Sequence, residues 1–400
     1  MNLVSSYDEI YKFCSNATKL SKYIAIDTEF VRRNTYYAKL CVIQLAFKEG
    51  QKKRVLMLDA LDQNINLKPL IKLLRNNNII KVIHASRQDL EIFLHLFNFL
   101  PTPLFDTQVA AMVCGKGEQE SYENLVKNLL GKKINKSCQF TDWSKRPLSP
   151  DQIKYASEDV TFLCDIYEIL HNELDNLGRS TWITEEITTL TTPKSYLNND
   201  RYSFKKIKGV NGSINFKAIV LDLLNFRESL AQKLNLPRNH VIKDAMVLNI
   251  AQKNPKTLKE LHDINIFQSK KELSSYYAEI LQILNTPKNK IEPNTVPLSS
   301  NLTAIDDNTI NTINLLKILL KIKSEELGVS PKLIATPRDL ELIVNEEEPD
   351  VLALKGWRKE VFGKDALQLK KGKVALSVWK KGVRIVNVSQ DNLVNRNNNE

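Results

Sequence analysis

The sequence predicts an α/β domain over residues 1–178 followed by helical domains, and three observations carry that prediction. Short apolar runs alternate with helix-like segments through the first 178 residues, the pattern of strands covered by helices. Beyond about residue 210 the apolar spacing is helical. At 400 residues the chain also exceeds the size that one core usually serves.

In chain order, the apolar runs Tyr23 to Phe30, Leu40 to Phe47, Val55 to Leu58 and Lys81 to His84 read as strands. Pro69 to Leu74 and Asp89 to Leu100 read as helices. The last helix of this part is marked at its start by Ser149 as N-cap, Pro150 at the first helical position and Gln152 as capping-box partner. Its stripe Ile153, Ala156, Val160, Leu163, Tyr167, Leu170 and Leu174 runs in steps of three and four. From 179 to 210 the periodicity fades into Thr-rich sequence, with a turn-like Tyr196 to Arg201, which predicts a linker. A helical domain is expected over 211–291, with helices at Phe216 to Leu234 and Val241 to Gln252 and a third capped by Thr257 and Glu260. A second is expected over 300–380, its helical block at Ile310 to Leu369, because the stretch from Leu327 echoes the stretch from Leu234 at an offset of about 93 residues. Residues 381–400 read as a flexible tail.

Composition narrows the function. With 42% hydrophobic and 26% charged residues, and only 12 Gly and 14 Pro, the chain is neither collagen-like nor wholly disordered. The 57 Lys and Arg against 46 Asp and Glu leave a net charge of +11, which favours a polyanionic partner. Residues 201–290 hold 16 Lys/Arg against 7 Asp/Glu, so the excess sits behind the N-terminal half. Cys14, Cys41, Cys114, Cys138 and Cys164 are widely spaced without a CxxC pair and read as reduced thiols, not as a disulfide framework or a zinc site. No apolar stretch of membrane-span length and no signal-peptide pattern is present, so a soluble cytoplasmic protein is expected.

Chemistry concentrates in carboxylates. Asp27 and Glu29 lie two apart on a predicted strand and point to one side of the sheet, where a hard divalent cation can join them. Taken alone, the pair could simply face water at a strand end. Asp89 opens a helix, where by itself it would serve as a favourable N-terminal charge. Tyr155 and Asp159 share a helix face with Phe162, Ile166 and Ile169, so Asp159 is expected to be partly buried, at a cost unless paired or metal-bound.

Together these residues resemble the three motifs of the DEDD superfamily of 3'-to-5' exonucleases. Lys154 stands where the histidine branch has its histidine, so Tyr155 marks the tyrosine branch. Ile26-Asp-Thr-Glu-Phe-Val-Arg32, Thr35-Tyr-Tyr37, Ile43-Gln-Leu45, His84-Ala-Ser-Arg-Gln-Asp-Leu-Glu91, Phe105-Asp-Thr107, Thr141-Asp-Trp143, Arg146-Pro-Leu148 and Tyr155-Ala-Ser-Glu-Asp159 resemble the ribonuclease D family in order. Asn225-Phe-Arg-Glu228, Leu236-Pro-Arg238, Val241-Ile-Lys-Asp244 and Asn254-Pro255 resemble the helicase-and-ribonuclease-D C-terminal domain, and Thr336-Pro-Arg-Asp339 with Leu354-Lys-Gly-Trp-Arg358 a divergent second copy.

The resemblance implies an α/β ribonuclease H-like exonuclease domain with a mixed central sheet, followed by two all-α domains. It implies that Asp27, Glu29, Asp89 and Asp159 hold two divalent ions, Mg2+ or Mn2+, at the terminal phosphodiester. Tyr155 would orient the attacking water, since a phenol is a poor unaided base near neutrality. Thr28, Tyr36 and Tyr37 could contact the terminal nucleotide, and Arg238, Lys243 and Lys253 could contact RNA phosphates. His84 reads as a hydrogen-bonded core histidine and Asp106 as a helix cap. The expected activity is 3' trimming of structured RNA, especially precursor tRNA, by a monomer. Two alternatives stay open: a DNA-directed exonuclease of the same chemistry, and a non-catalytic RNA-binding protein on a degenerate nuclease fold.

Overall fold

The computed structural model describes residues 2–197, 207, 210, 212–267, 271–286, 307–380 and 382–388. Helix α1 (Tyr7–Leu20) buries Ile10, Cys14 and Ala17 and leads into a five-stranded mixed sheet. Its strands are β1 (Tyr23–Val31), β2 (Lys39–Glu49), β3 (Lys52–Asp59), β4 (Ile80–Ile83) and β5 (Leu104–Asp106). Their order is β3-β2-β1-β4-β5. The first three run antiparallel, while β4 and β5 join β1 in parallel. Each of the four predicted strands is present. Helices α2 (Lys68–Leu74) and α3 (Arg87–Phe97) stand at the expected places, α3 starting two residues before Asp89. Helices α1, α4 (Thr107–Val113) and α5 (Tyr122–Leu130), and strand β5, are additions to the elements read from sequence.

Helix α6 (Pro150–Asn176) crosses β1, β2, β3 and β4 on one face of the sheet. Ser149 accepts from the Gln152 N–H while the Gln152 side chain accepts from the Ser149 N–H, closing the predicted capping box. The stripe read from sequence is its buried face, from Ala156 through Leu174. On the opposite sheet face, Phe13 of α1 packs edge-on against Phe47 of β2, ring centroids 5.1 Å apart.

The expected linker is corrected in part. Its first half forms α7 (Ser180–Leu190) and α8 (Lys194–Leu197), so the expected turn begins inside a helix at Tyr196. Residues 198–206, including the rest of that turn, lie outside the described residues. Thr-rich sequence favours helix weakly, yet Ile183 and Ile187 of α7 are buried in the largest core. Thr184, Thr188, Thr191 and Thr192 donate their hydroxyls to the carbonyls four residues back, satisfying them within the helix.

Helices α9 (Ile214–Leu234), α10 (Arg238–Val241), α11 (Asp244–Lys253), α12 (Leu258–Asp263) and α13 (Tyr277–Asn285) enclose a core of their own. The expected helix at Val241 to Gln252 is two helices, because Ile242 is extended between them. Thr257 caps α12 as expected, accepting from the Glu260 N–H. Helices α14 (Asp307–Leu327), α15 (Pro331–Ile334) and α16 (Pro337–Asn345) each begin 93 residues after α9, α10 and α11, so the sequence echo is an echo of elements. The block ends with α17 (Lys364–Lys370), preceded by short helical turns over Gly356–Gly363.

Two features depart from the expected boundaries. Ile313, Leu316, Leu319, Trp357 and Phe362 belong to the same core as the sheet and α6, so this second helical block is fused to the exonuclease part. The tail expected from residue 381 instead contributes a strand, β7 (Gly382–Asn387), antiparallel to β6 (Val374–Trp379). Residues 389–400 lie outside the described residues. Among the described residues no helix is long and apolar enough to cross a membrane. All five cysteines are free thiols, and four are buried.

Candidate active site

On β1, Asp27 sits opposite Gln44 and Glu29 opposite Val42, immediately before a register break at Phe30. Strand alternation turns both carboxylates to the α6 side. Asp159, on α6, closes the group: one carboxylate oxygen from each of Asp27, Glu29 and Asp159 lies within 4.8 Å of the others. Asp159 is buried, and its Oδ1 has no hydrogen-bond partner among the described residues. Asp89, in the first turn of α3, is buried and accepts a hydrogen bond from the Thr28 hydroxyl.

Burial raises all four carboxyls, and repulsion within the group adds to it for Asp27, Glu29 and Asp89. Asp27 is held well above the ordinary range by burial and then by Asp159. Glu29 is pushed up to about 10 by burial, then Asp27, Asp159 and Asp89. Burial and Asp27 push Asp89 up to about 8, against the Thr28 hydrogen bond. Burial takes Asp159 to about 7, with Tyr155 pulling the other way. A set of acids that resist being charged together is suited to a divalent cation, which removes the repulsion and fills the free lone pair on Asp159.

Tyr155 is one turn before Asp159, and its phenol is raised by burial and by the neighbouring Asp159, so it stays protonated and can donate. Its ring faces Trp143 at 6.1 Å. The loop carrying Trp143 is pinned by Arg146, whose Nε and Nη2 donate to Asp59 at 2.8 and 2.6 Å.

Four contributors were not legible as site residues. The Tyr122 hydroxyl donates to the backbone carbonyl of Asp159, fixing that turn of α6. Gln44, fully buried and directly across from Asp27, has an amide without a partner among the described residues. Trp143 and Arg146 stood in recognised motifs, but only the packing shows that they support Tyr155.

The expected RNA contacts fare unevenly. Thr28 is buried and turned to Asp89, so the structure uses it to hold a carboxylate. The Tyr36 hydroxyl donates to Glu228, which Arg238 grips through Nε and through Nη2 at 2.6 Å. Arg238 also lies over the Tyr36 ring at 5.0 Å. Its charge is therefore engaged between domains. Tyr37 stacks on His95, centroids 3.5 Å apart and planes 7° apart, and its N–H donates to Asn235 at 3.0 Å. Lys243 and Lys253 flank α11, exposed, without an ion pair among the described residues. His84 bonds Thr107 at 3.0 Å, as a core histidine should. Asp106 accepts the N–H groups of Gln108 and Val109 as the cap of α4, and also those of Ala85 and Ser86.

A 3'-5' exonuclease family matches residues 1–175, and the HRDC domain matches residues 216–284. The chain is 40% identical over 392 residues to ribonuclease D of Jannaschia sp., covering 96% of this chain and 99% of the relative. The chain belongs to the ribonuclease D family. Ribonuclease D of Granulibacter bethesdensis is 38% identical over 96% of both chains. The crystal structure of Escherichia coli RNase D, described as an exoribonuclease involved in structured RNA processing, superposes with a TM-score of 0.77. It covers 93% of this chain and 99% of its own, at 26% identity. Membership of the ribonuclease D family makes the chain a 3'-to-5' exoribonuclease, a hydrolase of phosphodiester bonds. The exonuclease fold of the ribonuclease D family implies dependence on a divalent metal, and the cluster of Asp27, Glu29 and Asp159 offers a place where one could be held.

Proposed function

We propose that the chain trims the 3' ends of structured RNAs, precursor tRNA above all, releasing nucleoside 5'-monophosphates one at a time. The observation that carries this reading is the convergence of Asp27, Glu29 and Asp159 within 4.8 Å, with the buried Oδ1 of Asp159 unpartnered among the described residues. Asp27, Glu29, Asp89 and Asp159 would hold two ions, Mg2+ or Mn2+. Bound there, such ions lower the pKa of the attacking water and neutralise charge on the departing oxygen.

Water oxygen bonds to phosphorus, the bond from phosphorus to the 3' oxygen breaks, and a proton ends on that oxygen. Tyr155, kept neutral by burial and then by its carboxylate neighbours, orients the water by donating from its hydroxyl. Asp89, held by Thr28, keeps its carboxylate aimed without spending the site's remaining acceptors. Exposed Lys243 and Lys253 supply phosphate contacts on the first helical domain. One chain carries all five catalytic positions, which supports action as a monomer, and the site of action is the cytoplasm.

The test incubates the full chain with a 5'-labelled RNA bearing a single-stranded 3' tail, with Mg2+, Mn2+ or EDTA. The expected result is a metal-dependent ladder shortening from the 3' end, slowed about 10²- to 10⁴-fold in Tyr155→Phe. A matched deoxyribo-oligonucleotide cut equally fast would move the reading to a DNA-directed exonuclease. No shortening with either metal would leave a non-catalytic RNA-binding protein.

A further inference from the structure

The β6–β7 hairpin has two unlike faces. Val374 is buried, and Leu376 and Ile385 pack on the large core, so one face is spent on seating the hairpin against α14 and α17. Those two helices bear none of the four carboxylates. The other face and the tip are open. Trp379 is 54% exposed and Val378 78%, a concentration of apolar surface that soluble proteins keep for binding.

The tryptophans make the contrast plain. Trp143 and Trp357 are 1% and 5% exposed, and Trp182 stacks on Trp357 with centroids 4.1 Å apart. Trp379 alone has no core to fill. What it does have is Arg384, whose guanidinium lies over its ring at 4.0 Å. Arg384 stands opposite Ser377, and Trp379 opposite Gly382, so the two share one face diagonally across the strands. The pair is a flat, cationic plate.

Charge around the plate has one sign. Residues 366–390 hold six Lys/Arg and no Asp or Glu. Lys371, Lys373, Lys380 and Arg384 are exposed, and none forms an ion pair among the described residues. Lys370 instead donates to the Glu346 carbonyl at 2.7 Å, at the base of the hairpin. Lysines along a free strand edge would by themselves be protection against edge pairing. A half-exposed tryptophan under an arginine does nothing for that purpose, whereas an aromatic ring set in a basic surface is how proteins hold single-stranded nucleic acid without reading its sequence.

We propose that this hairpin is a second RNA-binding surface, separate from the carboxylate site, which stacks an unpaired base on Trp379 and neutralises flanking phosphates with Lys373, Lys380 and Arg384. The choice of RNA over another polyanion rests on the exoribonuclease reading above. The surface would hold substrate outside the cleft between successive cuts.

Binding of a 5'-labelled 20-nucleotide single-stranded RNA is measured in EDTA on the full chain and on Trp379→Ala. The dissociation constant is expected to rise about 5- to 100-fold, the range for loss of one stacked base. Tryptophan fluorescence is expected to be quenched by RNA in the parent chain and much less in Trp379→Phe. Lys380→Ala with Arg384→Ala should flatten the salt dependence by about 0.7 in log–log slope for each phosphate no longer neutralised. Hydrolysis of a trinucleotide with Mn2+ should stay unchanged in every variant, which separates this surface from the catalytic reading. An unchanged dissociation constant in Trp379→Ala, or a trinucleotide rate that falls with it, would overturn the proposal. So would quenching by phosphatidylserine vesicles in the absence of quenching by RNA, which would make the hairpin a membrane contact.

Discussion

Thr28 and Asp89 show how a residue two positions from its expected task acquires another. Sequence reading set Thr28 beside the terminal nucleotide because it lies between Asp27 and Glu29; strand alternation turns it to the other side of the sheet, where it donates to Asp89. Partners that orient a metal-binding carboxylate are typically worth 10- to 100-fold in metal affinity. Thr28→Val is therefore expected to raise the Mn2+ concentration for half-maximal hydrolysis about 10- to 100-fold while RNA affinity in EDTA stays the same. The reverse pattern, weaker RNA binding at an unchanged metal requirement, would restore the nucleotide-contact role. The catalytic roles proposed for the carboxylates and Tyr155 came from the family resemblance, but the pairing of Asp27 with Glu29 and of Tyr155 with Asp159 was legible because local spacing aims them: two residues along a strand, four along a helix. Arg238 was not, since its partner Tyr36 lies 202 residues away and nothing local announces it.

At the scale of elements, α7 decides how the chain is joined. It looked like linker because Thr is a poor helix former, and its threonines are indeed exposed, but Trp182 and Glu186 face a partner. Trp182 stacks on Trp357, and Arg358 pairs with Glu186 at 2.7 Å with both side chains largely buried. Trp357 N–H groups also donate to Glu185 and Glu186. Trp357→Ala should thus cost about 3 to 5 kcal/mol, as for other buried tryptophans, and lower the melting temperature of the exonuclease part, read by circular dichroism. An exonuclease transition that does not move would show that the seam carries no stability. The echo between α9–α11 and α14–α16 is legible for the opposite reason: Asn235 and Gly328, each in the left-handed conformation, end the long helices, and such stops leave a sequence signature.

For the whole molecule, four raised carboxyls tie stability to pH and to metal. Each binds its proton in the folded state at pH values where the unfolded chain, with carboxyls near 4, has released it. The folded state then holds more protons, so stability falls as pH rises. The loss begins near pH 4 and continues through about 7 for Asp159, 8 for Asp89 and 10 for Glu29. In EDTA the melting temperature should fall from pH 5.5 to pH 8.5, and Mn2+ should raise it most at the upper end, because a ligand bound only by the folded state stabilises it. A flat or rising profile in EDTA would count against the buried acid cluster. What the sequence by itself determined is the α/β-then-helical order, the spacing that pairs Asp27 with Glu29 and Tyr155 with Asp159, and the repeat, all of which rest on short-range periodicity and capping. What only the tertiary structure decided is which units share a core, that Thr28 and Arg238 are spent on protein partners, and that a hairpin follows the last helix. Those depend on contacts between residues far apart in the chain, and side-chain burial against a distant element outweighs local propensity without leaving a local mark.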